Sequence, residues 1–133
     1  MKCKILIDTN VILRLLIGDI PYQQKKSQDL FKKIEDGKSF GLISILVINE
    51  FVKISTKFYK KSLKETIDYV LNILSIKNIA ALEIDKKELI QILNNALNWG
   101  IDFTDAYLLF FGNKNSLQVS SFDKKLVKLM NPN

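Results

Sequence analysis

Five carboxylates stand where this chain can do chemistry. Asp8 lies in "KILIDTNVILRLL" and Glu50 in "ISILVINEFVKIS". Asp102 and Asp105 lie in "IDFTDAYLLFFG", and Asp123 in "LQVSSFDKKL". Histidine is absent from the sequence. Serine–histidine and cysteine–histidine catalysis are therefore excluded, as is any imidazole metal site. Catalysis must rest on carboxylates, hydroxyls or lysines. Carboxylates gathered in one cleft repel: two unit charges about 4 Å apart interact by roughly 4 kcal/mol at an effective dielectric of about 20. A hard divalent ion with oxygen ligands, Mg2+ or Mn2+, relieves that repulsion. The chemistry this permits is metal-assisted phosphodiester hydrolysis, in which the ion lowers the pKa of a bound water and stabilises phosphoryl charge.

Each acid also has a purely structural reading. Asp8 can be an N-cap for the helix that follows it, and Asp123 can cap the last helix. Asp102 can cap the helix that contains Asp105, and Asp105 can merely be favoured by the helix dipole in the first turn. Glu50 sits beside an expected inward stripe of Val47, Phe51 and Ile54, where a charge is costly unless paired or bound to metal. Its alternative is an ion pair with Lys53 or Lys57 on an exposed face.

The elements that must position these acids alternate between strand and helix. Short apolar runs at 3–7, 39–43, 77–83 and 117–120 read as strands. The first reads as buried, with Cys3 as a small buried hydrophobe. Helices are expected at 9–17, 22–36 (with Gly37 after it), 45–58 (capped by Ser44), 63–75, 86–98 (capped by Asp85), 104–111 (ended by Gly112-Asn113) and 123–130. This alternation predicts an α/β fold: a three-layer α/β/α sandwich with a mainly parallel sheet of four to five strands. Ligands of such sheets sit beyond the carboxyl ends of the strands, which is where Asp8 and Asp123 fall.

The chain has 133 residues, 47% hydrophobic and 26% charged, with five glycines and two prolines. That predicts one domain over residues 1–133, with no linker or repeat. No apolar run is long enough to span a bilayer. No signal peptide is read, and the single cysteine excludes an internal disulfide. A cytoplasmic protein without membrane partners is expected. The net charge of +6 and pI near 9.4 favour polyanionic partners such as nucleic acid. Nearly all of that charge is lysine, and a biased codon composition gives the same excess.

Taken in order, "LIDTNVILRLLIGD", "GLISILVINEFVKI", "IDFTDAYLL" and "VSSFDKKLVKL" resemble the pattern of PIN-domain ribonucleases, and specifically VapC-like toxins of type II toxin–antitoxin pairs. The resemblance covers essentially the whole chain. It implies four acids around Mg2+ or Mn2+, carried across to Asp8, Glu50, Asp105 and Asp123. Asp102 becomes an accessory acid, and Asn10 and Ser121 become polar neighbours that orient the ligands. Arg14 matches a common arginine without an assigned role. The implied reaction is endonucleolytic cleavage of single-stranded or loop RNA, leaving a 5′-phosphate and a 3′-hydroxyl. The implied partners are the RNA substrate, a small antitoxin protein and a second copy of the chain. Phe58 and Tyr59 can serve antitoxin binding or RNA stacking, or simply pack between helices.

Three rivals stand beside this reading. A phosphatase with an aspartate nucleophile needs a second aspartate close to the first, and "DTN" supplies none. A PIN nuclease acting in RNA maturation outside a toxin pair and a non-catalytic nucleic-acid-binding domain on the same scaffold both remain open.

Overall fold

The computed structural model describes residues 3–130. Three parallel strands form the sheet, β1 (Cys3–Leu6), β2 (Ser39–Ile43) and β3 (Ile79–Ala81), in that spatial order. Leu6 lies beside Leu42, and Ile43 beside Ala81. Parallel neighbours need long crossovers, and here each crossover is built from helices. α1 (Thr9–Leu16) and α2 (Pro21–Glu35) join β1 to β2. α3 (Ile45–Lys53), a π-helical turn (Ile54–Phe58) and α4 (Leu63–Leu74) join β2 to β3. α5 (Lys86–Trp99), α6 (Phe103–Lys114) and α7 (Lys124–Met130) follow. The sheet is thus flanked by helices, as the alternation of segments predicts.

Local signals explain most helix starts. Pro21 opens α2, where its missing N–H would have had no partner. The Ser44 hydroxyl accepts from Leu46 N at 3.1 Å and starts α3. The Ser62 hydroxyl does the same for α4, and the Asp85 carboxylate for α5. The buried faces of these helices meet around Ile7, Ile43, Ile48, Phe51, Ile67 and Leu93, all nearly inaccessible to water. Each such side chain contributes about 1.5–3 kcal/mol by leaving water.

The sheet has three strands among the described residues, not four or five, because residues 117–120 form no strand. α6 does not stop at Gly112 but continues to Lys114. Leu117 N then donates back to Gly112 O at 2.7 Å. A Cβ at position 112 would lie 2.8 Å from Val119 Cγ2. The glycine therefore lets the returning chain pack on the helix, and this segment is tied there instead of to the sheet. Leu117 is left 64% exposed.

The same difference changes β1. No strand among the described residues lies beyond it, so β1 is an edge, and Cys3, Lys4 and Leu6 are exposed. Cys3 is an exposed thiol, not a buried hydrophobe. β3 is also shorter than expected, and the expected 45–58 helix divides into α3 and the π-turn. Thr56 Oγ1 donates to Val52 O at 2.8 Å just where the helix widens. At the end of that turn Phe58 is 73% exposed, while Tyr59, just after it, packs against the core.

Candidate active site at the carboxyl edge of the sheet

The parallel register carries three chain exits to one edge. Asp8 and Ser44 both lie two residues beyond the Leu6–Leu42 pair, and Glu83 lies two beyond Ala81. Asp8 occupies the N-cap position of α1, yet its side chain makes no cap bond. It is exposed, and no ion pair engages it among the described residues. The capping role read from sequence is thus not the one its carboxylate performs. Asn10, in the first turn of α1, is also exposed.

α3 packs against both α1 and α6, so its orientation governs the middle of the site. Ile48, Phe51 and Val52 are its buried residues, and Ser55 continues that face into the π-turn. Val47 and Ile54 are only half-buried. At about 100° per residue, Glu50 lies roughly 200° round the helix from Ile48. Glu50 is accordingly exposed, not on the core-facing stripe expected from sequence, and no burial cost demands a partner for it. It shares the outer face of α3 with Leu46, Asn49 and Lys53. That face meets α6: Thr104 Oγ1 donates to Asn49 Oδ1 at 2.8 Å. Ile45, Leu46, Asn49, Phe103, Thr104 and Tyr107 line a groove of about 310 Å³ at this junction.

α6 starts one residue earlier than expected, at Phe103, because Asp102 is its cap. Asp102 Oδ1 accepts from Asp105 N at 3.0 Å. Asp105, in the first helical turn, is half-buried. A helix N-terminus ordinarily favours a carboxylate, yet the Asp105 carboxyl is raised above the usual aspartate value. Burial is the largest cause; the charges of Asp102 and Asp123 add to it, and Lys53 opposes them. Three acids from the two last helix starts therefore share one electrostatic neighbourhood, with one lysine from α3.

Asp123 caps α7: its Oδ1 accepts from Lys125 N at 2.9 Å and Leu126 N at 3.1 Å. The Ser121 hydroxyl accepts from Asp123 N at 3.0 Å and so fixes the turn that presents the acid. Asp123 Oδ2 makes no hydrogen bond among the described residues.

The donor set fits a hard divalent cation in kind, since every candidate is a carboxylate oxygen. It also fits in charge, since the repulsion felt by Asp105 is what a cation removes. It does not form a closed cage. Among the described residues, no three Asp, Glu or Cys side chains are grouped so that they could hold an ion. Mg2+ does not require such a cage, because it keeps several waters and takes one or two carboxylates plus substrate phosphate.

Sequence reasoning misses Glu83 altogether and misses the partners of Lys53 and Arg14. The sequence offers Lys53 as a partner for Glu50, but it acts on Asp105. Glu83 accepts from the Ser44 hydroxyl at 2.5 Å and from Ile45 N at 2.8 Å, and so completes the start of α3. No local pattern signals this pairing across 39 residues; only the β2–β3 register does. Arg14 pairs with Asp19 at 2.9 Å, bonds to Gln23 and faces the Tyr59 hydroxyl, which with Asp19 raises the guanidinium pKa. It ties α1 to α2 and to Tyr59, which follows the π-turn.

No helix among the described residues is long and apolar enough to cross a membrane. No curated protein matches the chain significantly. The PIN domain family, whose fold is a nuclease fold, matches residues 5–130. With the flanked parallel sheet and acids at its carboxyl edge, that match shows that the chain belongs to the PIN domain family.

Proposed function

We propose that this PIN-domain chain is a Mg2+- or Mn2+-dependent endoribonuclease and the toxin of a type II, VapBC-like toxin–antitoxin pair. The observation that carries this reading is the PIN domain match over residues 5–130, together with the half-buried Asp105 in the turn capped by Asp102. Asp8, Glu50, Asp105 and Asp123 are the candidate holders of the ion, one or two of them directly and the others through its bound waters. The bound ion would supply an activated water and stabilise charge on the phosphoryl oxygens.

The chain's own residues supply position. Asp102 holds the first turn of α6 and so aims Asp105. Ser121 holds the turn before α7 and so aims Asp123. Asn49, bonded to Thr104, fixes α3 against α6 and with it the placement of Glu50. Lys53 lowers the carboxyl repulsion and offers a cation to a phosphate backbone. Cleavage of single-stranded or loop RNA would leave a 5′-phosphate and a 3′-hydroxyl. A small antitoxin and a second copy of the chain are the expected protein partners in the cytoplasm.

The test is RNA cleavage in Mn2+ with mapped product ends. Asp8→Asn and Glu50→Gln should each abolish it while the fold stays intact or gains thermal stability, because a repelling charge is lost. Equal cleavage by wild type and both variants would assign the activity elsewhere. A second reading, a non-catalytic RNA-binding domain, is favoured by one observation: Asp102 and Asp123 both already serve as helix caps. RNA bound but never cut, with Mn2+ present, would select it. A PIN nuclease outside a toxin pair is separated by the neighbouring gene. A small DNA-binding protein encoded just upstream or overlapping supports the toxin.

A further inference from the structure

Beyond the acids, α7 turns basic. Lys124, Lys125 and Lys128 are exposed, and Leu126 is buried and anchors the helix. A groove of about 590 Å³ is lined by Trp99, Lys125, Lys128 and Leu129. No carboxylate lines it among the described residues. Trp99 ends α5 and is 36% exposed. The next residue, Gly100, has φ of 63°, a left-handed conformation that glycine adopts without a Cβ clash. This turn presents Gly100 O to Lys125 Nζ, which donates to it at 3.0 Å. The ammonium is thereby held at the groove edge, and two of its three donors have no partner among the described residues.

We propose that this groove binds single-stranded RNA as it leaves the acidic edge, with a base stacked on Trp99 and phosphate held by Lys125 and Lys128. The proposal rests on the nuclease reading and extends it to the path of the substrate. Continuity is the first argument. Lys125 lies two residues after Asp123, whose charge reaches Asp105. Lys128 is five residues from Asp123, about 7.5 Å along a helix axis. Chemistry is the second. An aromatic face flanked by cations is what an unpaired strand needs, because every base has a π-face and every linkage a negative charge. The apolar lining is one indole and one leucine, too little for the broad face of an amphipathic helix.

Trp99 is the chain's only tryptophan, so its emission reports this groove alone. The full chain in EDTA is titrated with an unstructured RNA oligonucleotide, so binding is read without cleavage. Saturable quenching of Trp99 is expected. Labelled-RNA anisotropy should show Trp99→Leu binding about tenfold more weakly. Lys128→Glu should weaken binding and lower the salt slope by about one. Lys128 is exposed, so that variant carries the test if Trp99→Leu does not fold. RNA that binds with Trp99 emission unmoved and Lys128→Glu without effect overturns the proposal. So does heparin, a polyanion without bases, if it quenches Trp99 as strongly as RNA. RNA that is cut in Mn2+ while Trp99 stays silent sinks the groove alone. RNA that quenches Trp99 but is never cut sinks the nuclease reading and leaves the groove standing.

Discussion

The starts of α6 and α7 are built alike and surrounded differently. In each, an aspartate ahead of the helix accepts from backbone N–H groups of the first turn: Asp102 from Asp105, Asp123 from Lys125 and Leu126. The first turn of α6 then carries a half-buried carboxylate, whereas that of α7 carries exposed lysines. The local motif satisfies helix ends in both places. What each turn does for function depends on its neighbours. Around α6, burial and two acids push a carboxyl towards its neutral form. Around α7, lysines border an indole and a groove. Capping is a local property; charge chemistry is a property of the packed surroundings.

The comparison breaks most visibly at position 105. Asp105→Asn should lower RNA cleavage in Mn2+ by at least about 100-fold, the upper end of what losing an outer partner of a metal ligand costs. Single-turnover assays read this, and full activity in the variant would reduce α6 to a second structural cap. Next in size is the contrast within one turn. Asp105→Asn should cost roughly tenfold more Mn2+ affinity than Asp102→Asn, because asparagine still caps a helix. Titration calorimetry measures both, and the opposite order would exchange the two roles.

Position 123 tests the other helix start. Asp123→Ala should destabilise the fold by about 1 kcal/mol through loss of its cap bonds, while Asp123→Asn should keep nearly all of that stability. Denaturant melts separate the two. A large loss in the asparagine variant would mean that its charge, not its cap, holds α7. The smallest effect is the pH response. The folded Asp105 carboxyl keeps its proton at pH values where the unfolded chain has already released it. Stability should therefore fall as pH rises from the ordinary aspartate range through the raised folded value, and Asp105→Asn should remove that slope. Thermal melts from about pH 3 to about pH 7 read it, and an unchanged slope would place the titrating group elsewhere.

The elements themselves were largely legible. Caps at Ser44 and Asp85 are side-chain effects that act within a few residues, so they can be read from a string of letters. Asp102 as the cap of α6 belongs with them. The readings that failed depended on a partner. Cys3 looked buried because apolar runs in parallel sheets usually are, and it lies on an edge because no strand from 117–120 covers it. Glu50 looked like an acid in a core stripe because Val47, Phe51 and Ile54 form one acceptable helical face. Ile48, Phe51, Val52 and Ser55 form another, and packing chose the second. Gly112 looked like a helix stop, but a glycine inside a helix also admits a close neighbour, and Val119 takes that space.

By itself, then, the sequence determined the alternation of strands and helices, the basic excess, and an all-oxygen set of candidate ligands with no imidazole among them. These follow from residue chemistry and short-range periodicity, which do not depend on what lies opposite. Only the tertiary structure decided which side of α3 faces water, that Glu83 completes the start of that helix from 39 residues away, and that Asp102 and Asp123 both act on Asp105. Rotation about a helix axis, strand register and the overlap of charges are set by packing between distant segments, and neighbouring letters carry no record of that packing.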